Sequence, residues 1–169
     1  CPVSVPIPEF LAKVASGDFK GAVDTVKTTN LLPAICGRVC PQEKQCQGQC
    51  TVGKGLKDAE KAVSIGRIER FVADYERENK LETTQTIAAE TGKKVAIIGS
   101  GPAGLTVAAD VRRQGHSVTV FEAFHKTGGV MVYGIPEFRL PKSIVAKEVE
   151  NLKNMGVEFR TNFLVGRTN

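Results

Sequence analysis

Four of the five cysteines of this chain fall within fifteen residues, and none follows Cys50. The stretch CGRVCPQEKQCQGQC spaces them as Cys36-x3-Cys40-x5-Cys46-x3-Cys50, and the fifth, Cys1, opens the chain. A secreted disulfide scaffold spreads its cysteines through a short chain, so this crowding points to a metal centre in a reducing compartment. Structural zinc favours shorter knuckles, often completed by histidine, and neither feature occurs here. The unequal gaps, Gly37, Gly48 and the proline after Cys40 fit an iron–sulfur cluster better. Its thiolates must point inward while small residues let the backbone wrap a bulky group. Cys1-Pro2 has the form of the end of another ferredoxin-like run, in which the Cys before Pro serves the other cluster. Cys1, Cys36, Cys40, Cys46 and Cys50 are the candidate ligands.

The residues around the cysteines read as helix. Phe19, Ala22, Val23 and Val26 recur at i, i+3, i+4 and i+7 after a Gly17-Asp18 start, and Pro33 is expected to end that region. A second helix is predicted from about Ala59 to Glu78, with Ile65, Ile68, Val72 and Tyr75 on one stripe. At ~100° per residue, Glu69 projects about 40° from Ile65, at the edge of that stripe, while Arg67, Arg70 and Asp74 point away. Residues 79–93 are polar, threonine-rich and aperiodic, as a linker crossing the surface would be.

From residue 94 the pattern alternates strand and helix. Val95–Ile98 is a short apolar run of the kind a buried parallel strand shows. Pro102–Gln114 reads as helix, Ser117–Phe121 as strand, and Ala123–Pro141 as a long Gly/Pro loop. A helix over Lys142–Met155, capped by Gly156, leads to a third strand at Val157–Arg160. The expected architecture is an α-helical iron–sulfur module over 1–78, a linker over 79–93, and an α/β Rossmann-type half-domain over 94–169. Three strands are too few for a doubly wound sheet, and the chain opens on Cys1 without Met. The expectation is a piece incomplete at both ends.

The segment VAIIGSGPAGL supplies Gly99-x-Gly101-x-x-Gly104 between strand and helix, with Glu122 ending the next strand. Gly99 permits a tight turn, Gly101 lets backbone approach a pyrophosphate, and Gly104 allows the helix to pack on the sheet. The helix N-terminus faces the phosphates. Glu122 can accept hydrogen bonds from both ribose hydroxyls. Ala108 and Gly115 extend the pattern to the long form of FAD-dependent oxidoreductases, and Gly128-Gly129 supplies a second glycine pair that a plain NAD domain does not need. FAD is therefore expected over NAD.

Composition narrows the rest. The net charge of +5 comes from scattered basic residues with no Trp, which argues against nucleic acid. No apolar run approaches the ~20 residues that cross a bilayer, and no signal-peptide layout opens the chain, so a cytoplasmic protein is expected. His116 and His125 are the only histidines and receive no role. No Ser/His/Asp or paired-carboxylate arrangement stands out, so no catalytic acid–base residue is expected.

The stretches CPVSVPIPEF, ICGRVCPQEKQCQGQC, SIGRIERFVADY, VAIIGSGPAGL and GGVMVYGIPEFRLPK, in this order, resemble the glutamate synthase small-subunit family. That family includes the N-terminal part of dihydropyrimidine dehydrogenase and the large subunit of NADH-dependent ferredoxin:NADP oxidoreductases. The resemblance implies two 4Fe-4S clusters, FAD, and NAD(P)H in a second nucleotide domain missing here, as are three cysteines upstream of Cys1. It implies electrons passing from NAD(P)H through FAD and the clusters to a partner subunit, either a glutamate synthase large subunit or a ferredoxin or flavin subunit, in a hetero-oligomer. Matching family positions around FAD are Gly99, Ser100, Gly101, Pro102, Ala103, Glu122, Gly128, Gly129, Val130, Arg139 and Val165. Arg139 would meet flavin or phosphate oxygens or pair with Glu137 or Glu148, and Val165 would pack near adenine or in strand core. Cys1, Cys40 and Cys46 would serve one cluster and Cys50 the other. The fourth ligand of the first is either Cys36 or Glu69, since Glu69 matches a glutamine that ligates the corresponding cluster in dihydropyrimidine dehydrogenase. Otherwise Glu69 is a surface carboxylate paired with Arg70 or a residue one turn away. Two rival readings are a zinc-stabilised NAD-binding dehydrogenase piece and a cofactor-free docking module.

Overall fold

Pro8, in the first turn of helix α1 (Ile7–Ala15), is tolerated because that turn has no intrahelical use for its amide. The chain turns at Gly17, whose φ of +81° suits glycine. The Asp18 carboxylate then accepts the Gly21 amide at 2.8 Å and caps α2 (Phe19–Lys27). Pro33 does not terminate the helical region; it opens α3 (Pro33–Val39). Proline's fixed φ serves a first turn as well as it breaks an interior one, and the sequence pattern alone does not distinguish the two. Short 3₁₀ turns at Gln42–Lys44 and Gln47–Gln49 carry the chain to α4 (Thr51–Gly55). The helix predicted from Ala59 is a 3₁₀ turn, Ala59–Lys61, followed by α5 (Ile65–Glu78).

The computed structural model describes residues 1–81 and 86–166. It divides into two compact units, Cys1–Thr83 and Thr84–Asn169. Residues 82–85 of the predicted linker and 167–169 of the predicted second domain lie outside the described residues.

The first unit closes around two apolar clusters, Phe10 with Val26 and Ile65, and Ala22 with Val23 and Val72. Helix α5 packs on α3 so closely that a Cβ on Gly37 would lie 2.7 Å from the Arg70 backbone. Two ion pairs fasten α5 to its neighbours. Lys27 reaches both Glu76 oxygens at 2.6 and 2.7 Å, and Arg38 reaches both Asp74 oxygens at 2.7 Å. Asp74 therefore turns toward α3 rather than away, because Arg38 is 5% exposed and needs a counter-charge.

In the second unit β1 (Lys94–Ile98), β2 (Ser117–Phe121) and β3 (Glu158–Arg160) form a parallel sheet in the order β1-β2-β3. Helix α6 (Pro102–Arg113) joins the first two strands. The predicted loop contains a short helix, α7 (Val130–Tyr133), before α8 (Lys142–Asn154) leads to β3. Ile97, Val118 and Val120 are buried on the face that α6 covers, whereas Ile98 is 72% exposed. The apolar run of β1 is thus buried on one face only. Residues 86–93 run beside α6: Ala88 N–H donates to Arg113 O, Thr91 N–H to Gly115 O, and Glu90 pairs with Arg112 at 2.6 Å.

The tight α3–α5 crossing predicts that Gly37→Ala destabilises the first unit by about 1–3 kcal/mol, the usual cost of overpacking. Gly55→Ala in α4, where a Cβ meets nothing within 4 Å, should be neutral or slightly stabilising. Urea unfolding followed by circular dichroism compares the two, and equal midpoints would contradict the crossing.

Candidate functional site

In the first unit, α3 carries Cys36, the extended residue after it is Cys40, and Cys46 and Cys50 flank the 3₁₀ turn Gln47–Gln49. The Cys36 thiol donates to Cys40 and holds the Cys40 thiol down at about 7, against the opposing effect of burial. The same hydrogen bond, with burial and the nearby charges of Cys40 and Glu69, pushes Cys36 up. Burial raises Cys46 as well, and Glu69 adds to this. Glu69, on α5, is 8% exposed. Burial raises its carboxyl to about 7, a hydrogen bond from Asn30 works against that, and the charge of Cys40 adds to it. Glu69 is therefore no surface carboxylate paired with Arg70, whose guanidinium meets Asp74 at 3.5 Å.

The structure thus places Cys36, Cys40 and Cys46 each within electrostatic reach of Glu69. Cys50 stands differently. Its sulfur faces the backbone amides of Gly53, Val63 and Val52, which lower its pKa, with Val63 N at 3.4 Å. Among the described residues, no three His, Cys, Asp or Glu side chains are arranged to share a single metal ion. A compact tetrahedral ion would need that convergence, whereas a cubane spreads its ligands round a larger volume. Cys36, Cys40 and Cys46 are half-buried and Glu69 is buried, and thiolate and carboxylate donors of this kind suit a cationic iron centre. The donor set fits such a centre.

Two sequence arguments change their meaning here. Gly37 is small because α3 and α5 cross there, and Gly48 because a Cβ would lie 2.2 Å from Glu43 O. Neither is explained by wrapping a cluster. Asn30 escapes sequence reasoning altogether. Its one signal is an Asx turn, with Leu32 N–H donating to Asn30 Oδ1 at 3.1 Å just before α3.

In the second unit the fingerprint is built around Ser100, which is fully buried. Its amide donates to Glu122 Oε2 at 2.9 Å, its hydroxyl donates to the same oxygen, and that hydroxyl accepts Gly128 N–H at 2.9 Å. Glu122 Oε1 accepts Phe124 N–H at 2.9 Å. Burial works to raise the Glu122 carboxyl, yet the donors Phe124, Ser100 and Ala123 together hold it below the usual range. Gly104 lies against the first turn, since a Cβ there would come 2.1 Å from Gly99 O. Gly129 has φ +53°, and its Cβ would lie 2.9 Å from Gly101 Cα. The second glycine pair thus has a packing reason of its own. Over Gly101 a Cβ meets nothing within 4 Å, which leaves open the space a pyrophosphate needs.

Pro102 and Ala103 open α6, and Val130 opens α7 with 57% exposure. The loop beyond is clasped by Lys142, whose ammonium donates to the carbonyls of Met131 (2.9 Å), Leu140 (3.2 Å) and Ile135. Arg139 is exposed, and Glu137 accepts the Lys142 amide at 3.2 Å. Val165 follows β3 and is 40% exposed, so it is not strand core.

Ser100→Ala removes both hydroxyl bonds and strands the buried Gly128 amide, at a cost of about 1–3 kcal/mol. Denaturant unfolding should register the loss, and hydrogen exchange at Gly128 should accelerate. The contribution of Glu122 is complete above the ordinary carboxyl value of 4.5 and fades as pH falls through its depressed folded value. Glu122→Gln should therefore flatten the acid limb of the stability profile.

Comparison with known proteins agrees with both halves. The family model described as dihydropyrimidine dehydrogenase domain II, 4Fe-4S cluster, matches residues 1–81. An NAD(P)-binding Rossmann-like domain matches residues 97–140. The glutamate synthase (NADPH) small chain of Azospirillum brasilense is 39% identical over 167 residues, which cover 99% of this chain and 34% of that protein. The Escherichia coli K12 protein of the same name is 42% identical over 167 residues, with the same coverage of 99% and 34%. The NAD-dependent dihydropyrimidine dehydrogenase subunit PreT of Escherichia coli K12 is 41% identical over 168 residues, covering 99% of this chain and 40% of that protein. The chain spans between 34% and 40% of the length of these relatives. No helix among the described residues is long and apolar enough to cross a membrane. With an iron–sulfur domain match followed by a Rossmann-like domain match, the chain has homologues at about 40% identity over its whole length among glutamate synthase small chains and dihydropyrimidine dehydrogenase subunits PreT.

Proposed function

We propose that this chain is the iron–sulfur and FAD-binding part of an electron-transfer oxidoreductase, taking reducing equivalents from NAD(P)H and delivering single electrons to a partner subunit. The observation that carries the reading is the half-buried set Cys36, Cys40 and Cys46 beside the buried carboxylate of Glu69. Cys1, Cys40, Cys46 and Glu69 hold one 4Fe-4S cluster. Cys36 stays outside the ligand set, its thiol hydrogen-bonded to Asn30 Oδ1 at 3.5 Å. Cys50, whose sulfur is turned to backbone amides, belongs to a second cluster with ligands from elsewhere in the protein. A cytoplasmic location suits such clusters, since reducing conditions keep the thiols available.

In the second unit, Gly99, Ser100, Gly101, Pro102, Ala103 and Gly104 form the turn that receives the FAD pyrophosphate. Gly128, Gly129 and Val130 lie over it, while Arg139 and Val165 border the cofactor from the following segments. When bound, FAD links two-electron transfer with nicotinamide to one-electron transfer with iron–sulfur centres. The open space at Gly101 and the retained charge of Glu122 support this placement. Glu122 already accepts the Ser100 amide, the Ser100 hydroxyl and the Phe124 amide, which leaves little room for both ribose hydroxyls. NAD(P)H binds a further nucleotide domain, and the electron acceptor is a partner such as a glutamate synthase large subunit or a ferredoxin or flavin subunit.

Iron, sulfide and flavin analysis of the full-length protein, with its visible spectrum, tests the reading. Flavin bands with a broad brown absorbance support it; a colourless zinc protein, or one without stoichiometric metal, overturns it. Glu122→Ala should lose FAD affinity about ten- to a hundredfold, the worth of a charge-assisted bond, with iron unchanged. Full flavin retention after gel filtration would remove Glu122 from the site. Cys40→Ser and Cys50→Ser should damage different electron paramagnetic resonance signals, and loss of the same signal in both would refute the division of the cysteines.

A further inference from the structure

The segment after Cys40 is made of two 3₁₀ turns, Gln42–Lys44 and Gln47–Gln49, with Cys46 between them. Turns of this kind are short and poorly bonded, so they hold a side chain in place weakly by themselves. One residue ties the segment to α3 and α5, the helices of Cys36 and Glu69. Gln42 is half-buried, and its side-chain nitrogen donates to the Cys36 carbonyl at 3.1 Å. That carbonyl also accepts the Cys40 amide at 3.1 Å, so backbone and Gln42 together close the end of α3. A carbonyl can only accept, which fixes the nitrogen of the Gln42 amide toward Cys36.

The same amide lies against α5. Gly66 is buried in the first turn of that helix, and a Cβ built on it would overlap Cδ, Oε1 and Nε2 of Gln42. Gly66 thus leaves a notch that the Gln42 amide fills. Residues three apart share one face of a helix, so the notch lies on the face that carries Glu69.

We propose that Gln42 is a positioning residue for the first cluster: seated in the Gly66 notch and bonded to the Cys36 carbonyl, it sets Cys40 and Cys46 at their distance from Glu69. The proposal rests on the reading given above of Cys40, Cys46 and Glu69 as ligands of one cluster. Gln42 stands two residues after Cys40 and four before Cys46, too near to either for them to shift freely while its amide is held. The notch also accounts for a glycine where a helix gains from a better helix former.

The test uses full-length, anaerobically purified protein. Its readouts are the electron paramagnetic resonance signal that Cys40→Ser removes and the rate at which a chelator takes the iron. Gly66→Ala keeps Gln42 but evicts its amide. The obstacle is only the far end of a flexible side chain, so α5 should stay folded. Gln42→Ala leaves the notch empty. Each should change the shape of the signal and speed iron release about fivefold, as loss of one hydrogen bond would. The double variant Gln42→Ala/Gly66→Ala should be no worse than either single one, because both empty the same seat. Residues with a merely structural part would leave the spectrum unmoved.

A wild-type spectrum and release rate in folded Gly66→Ala or Gln42→Ala, or a double variant that sums the two losses, overturns the assignment. If Gln42→Ala does not fold by circular dichroism, Gln42→Ser replaces it throughout. If Gly66→Ala does not fold, Gln42→Met, which keeps the length but cannot donate, is read on the same signal with the same two outcomes. Failure of the underlying reading looks different: Cys40→Ser would then leave every iron–sulfur signal in place.

Discussion

A carboxylate taken out of water must find donors or surrender its charge, and each unit of this chain is arranged round one such group. The two solutions are opposite. Glu122 receives the Ser100 amide, the Ser100 hydroxyl and the Phe124 amide, and stays ionised below its usual range. Those donors come from both glycine-rich loops or their neighbours, so satisfying the carboxylate also sets the shape of the nucleotide turn. Glu69 receives one donor from Asn30 and is pushed up to about 7. An ionised group with its donors in place is a structural staple. A buried carboxylate with one donor, set near cysteines, holds its proton more readily.

What could be read in the sequence follows from how local each signal is. The limits of β2 match the expectation residue for residue, and α6 and α8 differ from it only at their C-terminal ends, because strand alternation, helical period and glycine turns are encoded within a few residues. The fingerprint was legible for the same reason, and the family match over residues 97–140 covers it. Pro33 was ambiguous because the same ring that breaks a helix also starts one. The exposure of Ile98, the turn of Asp74 toward Arg38, and the burial of Glu69 under Asn30 depend on partners far along the chain. For these, helical angle gives a direction but not the neighbour. Glu69 at the edge of its stripe could be placed near the core by periodicity; only the fold shows that 39 residues upstream an asparagine waits for it.

The glycines make a similar point about inference from motif. Gly37 and Gly48 looked like concessions to a cluster and are concessions to neighbouring backbone. Gly129 looked like a cofactor contact and is first of all a contact with Gly101. Within the first glycine loop it is Gly99 and Gly101 over which a Cβ would meet nothing within 4 Å. Small residues at a functional site therefore separate into those that let the protein touch itself and those that leave room for something else, and sequence spacing does not tell them apart.

The apolar clusters of the first unit have a bearing on how its metal is acquired. None of the residues at their centres, Phe10, Val26, Ile65, Ala22, Val23 and Val72, is a candidate ligand. The helices are held by hydrocarbon and by the Lys27–Glu76 and Arg38–Asp74 pairs, and Cys46 packs against the first of the two clusters. A zinc finger, by contrast, draws its folding energy from the metal and collapses without it. Here the frame has apolar and ionic contacts of its own, so loss of metal is expected to leave the helices folded. Oxidative loss of a cluster then becomes local damage on a standing scaffold, open to repair by reinsertion rather than by refolding.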